Sequence, residues 1–96
     1  MTSTLEKLSL EVDVAQWEWL RAHNDRGALL WVAHGLEMAD VGAKMAADDE
    51  HAIKAWLDSR ELGRPSPEQV AAWELTPQRN FAILIVSPYV LVQESQ

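Results

Sequence analysis

Asp48, Asp49 and His51 crowd one short stretch, AADDEHAIK. Two carboxylates beside an imidazole can hold a divalent cation or share a proton in acid/base work. No further ligand recurs nearby at helical spacing, however. Acids directly ahead of an apolar-periodic stretch also serve a helix start, where their oxygens accept from free N–H groups and meet the positive end of the dipole. Asp48 or Asp49 is therefore read as a helix cap, and Asp48, Asp49 and His51 remain a weak candidate polar site. His34 and Glu37 flank a loop rich in turn residues and read as surface groups, as does His23.

Other chemistries lack their residues. No strained GxSxG-type elbow presents a serine nucleophile, and Ser66 and Ser87 adjoin prolines as cap and strand-end residues. The four glycines, at 27, 35, 42 and 63, are isolated, so no phosphate-cradling loop forms, and the absence of cysteine excludes thiolate metal sites and disulfides. No catalytic, cofactor-binding or metal-ligating residue is assigned, and the chain is not read as an enzyme.

Five tryptophans in 96 residues need placing. Trp17, Trp31 and Trp56 fall on inward faces and build core. Trp19 lies off the stripe of Trp17 and Leu20, and Trp73 sits on a short helix with little apolar company. Exposed aromatics are enriched at protein interfaces, so Trp19, Trp73 and Tyr89 are the candidate partner-binding residues.

The elements that position these residues follow from period and punctuation. Thr4 to Leu10 reads as a short amphipathic helix. Asp13, with Gln16 three residues on, has capping-box spacing for a helix carrying Val14, Trp17 and Leu20 inward to about Asn24. Gly27 to Ala33 reads as a buried strand. Glu37 to Ala47 and Glu50 to Ser59 read as helices, facing inward with Met38, Val41, Gly42 and Met45 and with Ile53, Trp56 and Leu57. A brief extended piece precedes Pro65. Ser66, Pro67 and Gln69 then form the sharpest helix start in the chain, running to about Leu75. Phe81 to Ser87 and Tyr89 to Gln93 are expected to make one long strand kinked at Pro88. The expected fold is α+β, one domain over residues 1–96 with an ordered core from about 5 to 94. Helices pack on one face of a small sheet, and the Gly27 to Ala33 strand lies beside the Phe81 to Val86 strand.

The close helix pair followed by a basic extended piece outlines a helix-turn-helix with a wing. Its charge opposes that use: Lys54 and His51 share the outer face with Glu50 and Asp58, and Arg60 and Arg64 with Glu61. The whole chain carries −7, and each third holds more acids than bases. No segment offers a polyanion a docking face. The start lacks a signal-peptide pattern and no apolar run reaches membrane-spanning length, so a cytoplasmic location with no membrane partner is expected.

DVGAKMAADDEHAIKAWL, RPSPEQVAAW and FAILIVSPYVLVQE together resemble an uncharacterised bacterial family, domain of unknown function 2288. The resemblance rests on Asp48-Asp49, on Trp56-Leu57, on Pro65 to Trp73 with Glu68 and Gln69, and on Val86 to Glu94 with Pro88 and Tyr89. It covers about residues 5 to 94, and the C-terminal string is its most specific part. Trp31 and His34 depart from the pattern. The resemblance implies an intracellular bacterial origin, proteobacterial or cyanobacterial, and carries no activity or site residue with it. The expected function is a non-catalytic protein-interaction or regulatory module, with an unidentified protein partner or a second copy of the chain. The alternative is a winged-helix-like nucleic-acid-binding regulator, and a metal or acid/base site at the acidic turn stands third.

Overall fold

The computed structural model describes residues 12–86 and 88–94, so the helix expected over Thr4 to Leu10 lies outside the described residues. In chain order the elements are β1 (Asp13–Gln16), α1 (Trp17–Asp25), β2 (Leu29–Val32), α2 (Met38–Ala46), α3 (Glu50–Ser59), β3 (Leu62–Gly63), α4 (Pro67–Glu74), β4 (Asn80–Val86) and β5 (Tyr89–Glu94). The strands form one mixed sheet in the order β1-β4-β5-β2-β3. The α+β class holds.

The C-terminal segment is a hairpin and not one kinked strand. β4 and β5 pair antiparallel from Phe81 with Glu94 to Val86 with Tyr89. The register closes with Val86 opposite Tyr89, a spacing that suits a tight reversal. Pro88 is confined to that reversal, where no ladder N–H is needed. β2 runs parallel to β5, from Leu29 with Val90 to Trp31 with Val92. It is therefore not next to β4, as expected, but one strand removed from it.

Side chains alternate across the sheet and divide the core in two. Leu29, Phe81, Ile83, Val90 and Val92 pack with Trp17, Leu20 and Trp73, under α1 and α4. Val32, Leu84 and Leu91 pack with Met38, Ala39, Val41 and Leu62, under α2 and beside α3. Helices thus cover both faces, which corrects the one-face arrangement. The reason is in the strands: consecutive apolar residues such as Ile83-Leu84 and Val90-Leu91-Val92 point to opposite sides, and each side needs cover.

Local chemistry sets the boundaries. Ser66 Oγ accepts from Gln69 N at 3.1 Å and Gln69 Oε1 accepts from Ser66 N at 2.9 Å, a complete capping box with Pro67 behind it. The capping box expected at Asp13 does not form: Asp13 to Gln16 is an edge strand paired with Asn80 to Ile83, and Val14 is exposed. Pairing with β4 outweighs the local capping signal there, and α1 begins at Trp17 with no side-chain cap.

Trp73 is 1% exposed, which corrects its candidacy as a partner anchor. Its ring lies 5.2 Å from that of Trp17 and 5.0 Å, edge-on, from that of Phe81. Its apolar company comes from distant elements and so is invisible in its own helix. Trp73→Ala should cost about 3–5 kcal/mol, whereas Ser66→Ala, losing only a cap, should cost about 1 kcal/mol. Urea unfolding followed by circular dichroism measures both.

Candidate interaction surface

The acidic turn caps a helix. Asp49 Oδ1 accepts from Ala52 N at 3.1 Å, capping α3, and its Oδ2 lies 3.7 Å from Lys44 Nζ. Asp48 occupies the left-handed region, φ 56°, which a short polar side chain tolerates better than most. His51 is exposed on α3. Among the described residues no three His, Cys, Asp or Glu side chains gather as a metal set.

The helix pair is present, but no wing follows it. β3 is the outer strand of the main sheet, paired antiparallel with β2 through Trp31 with Gly63 and Val32 with Leu62. No residue of α3 is fully buried, and Leu57, expected inward, is 47% exposed; only Ile53 and Trp56 lean on the core. Glu50, His51, Lys54 and Asp58 are exposed on α3, so the helix presents mixed charge.

Two of the three candidate aromatics reach the surface, on opposite sides of the sheet. Tyr89, 40% exposed, shares a hollow of about 290 Å³ with Met45, Ile53 and Leu57 on the α2–α3 side. Trp19, 46% exposed, stands beside Val14 at 60% and Ile85 at 53% around a second hollow of about 430 Å³, which Asp13 and Glu18 also line. Trp19 packs against the tilted ring of His23, with ring centroids 4.4 Å apart, and His23 Nδ1 accepts from Arg26 Nη2 at 2.7 Å. Val14 and Ile85 were missed as surface residues. The first falls on the inward stripe of the expected helix, and the second sits in a strand whose unbroken apolar run hides which residues are covered.

Polar side chains between distant elements fix this frame. Glu74 at the end of α4 receives Arg21 through two bonds, Nε at 2.7 Å and Nη2 at 2.8 Å, and the Trp17 indole N–H at 2.8 Å. These donors, Arg21 first and Trp17 second, hold the Glu74 carboxyl below the usual carboxylate range, and the same bond raises Arg21. On the other side Gln93 Nε2 donates to Ala33 O and Leu36 O, both at 2.8 Å, pinning the β2–α2 loop to the end of β5. No local sequence signal marks either tie, because the partners are tens of residues apart.

The sequence matches the family described as Protein of unknown function (DUF2288) over residues 3–94. The chain belongs to this family. The solution NMR structure of PA1075 from Pseudomonas aeruginosa is similar to this DUF2288 protein at 33% sequence identity and a TM-score of 0.81, over 100% of this chain and 89% of that one. No curated protein matches it. The two most distinctive strings of this DUF2288 chain are now explained by physics: Pro65 to Trp73 is a capped helix driving an indole into the core, and Val86 to Glu94 is the reversal and central strand. No described helix is long and apolar enough to cross a membrane.

A depressed Glu74 pKa stabilises the folded state above the unfolded carboxyl's pKa, near ~4.3, and that stabilisation is lost as pH falls through the lower native value. Glu74→Gln should therefore lower the melting temperature modestly at neutral pH, the pair being solvent-screened, and the gap to wild type should close on acidification. Thermal melts across that pH range measure it.

Proposed function

We propose that this DUF2288 protein is a non-catalytic interaction module of the bacterial cytoplasm that works as a homodimer joined through the β1 edge. The observation that carries this reading is the pair Trp19 and Ile85, large apolar side chains about half exposed on the α1 face, beside an outermost strand whose Val14 is exposed on the other face. Among the described residues β1 pairs on one side only, with β4, and an edge of unpaired N–H and C=O groups is a template for a further strand.

A second copy fits that edge by symmetry. Antiparallel pairing of two β1 strands about a two-fold axis perpendicular to the sheet can set Val14 opposite its own counterpart and Asp13 opposite Ala15, so no acid faces an acid in the ladder. The axis also brings the two Trp19 surfaces toward one interface. Packing against His23 orders Trp19 before contact, which lowers the entropy cost of using it as an anchor.

Light scattering on size-separated protein tests the assignment. Wild type should run as a dimer at high micromolar concentration, and Trp19→Glu with Ile85→Lys should run as a monomer with an unchanged circular dichroism spectrum, both positions being at the surface. A monomeric wild type at that concentration would sink the homodimer.

A further inference from the structure

We propose that the hollow at the β3 edge of the sheet is a binding site for a small amphipathic anion, an apolar body carrying a carboxylate or phosphate. The hollow, about 350 Å³, lies where the end of α3, β3 and the start of α4 meet, and Trp31, Arg60, Gly63, Arg64, Ser66 and Gln69 line it with Leu57 and Leu62. The inference does not depend on the homodimer, which uses the opposite edge of the sheet.

The side chains of that lining are rich in hydrogen-bond donors. Ser66 Oγ and Gln69 Oε1 each accept one bond of the capping box, and the Ser66 hydroxyl hydrogen and the Gln69 NH₂ add donors to the lining. The buried Trp31 indole N–H has no partner among the described residues. Arg64 gives one bond, Nη2 to Asn24 O at 3.1 Å, and keeps the rest of its fork. Arg60 and Arg64 make no salt bridge among the described residues, whereas Arg21, Lys44 and Arg79 each do. No carboxylate lines the hollow, in a chain with nearly twice as many acids as bases. A donor-rich lining with two arginines and no carboxylate is complementary to an oxyanion, and Leu57, Leu62 and Trp31 supply the apolar wall for its body.

Two backbone features keep the site open. Arg60 closes α3 in the left-handed region at φ 65°, a position where glycine would sit without strain, so a cationic side chain is held there at a conformational cost. Gly63, paired with Trp31, leaves open space: a Cβ added there meets nothing within 4 Å.

The test is an NMR titration of the full chain with 1-naphthyl phosphate, 1-naphthoate and neutral 1-naphthalenemethanol, following the Trp31 indole and Gly63 amide signals. Both signals should shift saturably with at least one anion and not with the alcohol; the tighter anion identifies the head group as phosphate or carboxylate. Arg60→Gly should weaken binding roughly tenfold, the loss of a charge-assisted contact, without lowering the melting temperature. Arg64→Gln should weaken it comparably, and Gly63→Val should block the hollow in a folded protein. No saturable shift with either anion, equal response to the alcohol, or wild-type binding by a folded Arg60→Gly protein would overturn the proposal.

Discussion

Burial of β5 on all four sides is the constraint from which the rest of the molecule follows. Val90, Leu91 and Val92 are 3%, 0% and 0% exposed, with β4 on one edge, β2 on the other and a helical layer over each face. A strand apolar at three successive positions cannot lie in a sheet with one wet face. Two layers must therefore be supplied from the rest of the chain, and they come from different places: α1 and α4 over the even-numbered residues of β5, α2 with α3 over the odd. The parallel pairing of β2 with β5 follows, since β2 also carries apolar side chains to both sides and needs an interior position.

That constraint was half legible. Element types and several boundaries were readable where the signal is local: α3 spans Glu50 to Ser59 as its period and cap indicate, and the Ser66 box starts α4. What failed was everything decided by a partner far along the chain. Asp13 looks like a cap until β4 is there to pair with it. Trp73 looks stranded until Trp17 and Phe81 arrive from other elements. The apolar runs of β4 and β5 announce burial but do not say on how many sides, so a single layer of helices is consistent with the residues and is excluded by the topology. Of the candidate site, Trp19 and Tyr89 were legible as aromatics off a stripe or beside a turn; Val14 and Ile85 were not, because exposure in a short edge strand depends on where its neighbours stop.

Polar side chains do little to drive this fold but decide where its layers sit. Buried polar or charged residues are absent from the described core. The ties run instead at the margins: Glu74 gathers α1 to α4 on one face, Gln93 holds the β2–α2 loop on the other, and Arg79 meets Glu94 at 3.2 Å where β4 begins and β5 ends. Apolar burial is non-directional and leaves helices free to slide over a sheet; short, angle-dependent bonds at their ends remove that freedom.

The distribution of charge follows the same division and bears on what the surface can recognise. In a chain of −7, Arg21, Lys44 and Arg79 are held in ion pairs, while Arg60 and Arg64, which make none among the described residues, lie together at the β3 edge. The net field repels an approaching anion, but it is screened beyond ~8–10 Å at ordinary ionic strength, while contacts inside a partly dry hollow are screened far less. Recognition there would be governed by close donor geometry and apolar contact, not by long-range steering, and so would favour a compact ligand able to enter the hollow over an extended polyanion lying across an acidic surface. The same physics separates the two ends of the sheet: the β1 edge offers apolar side chains and an open ladder suited to another strand, and the β3 edge offers a donor-lined hollow too small for one.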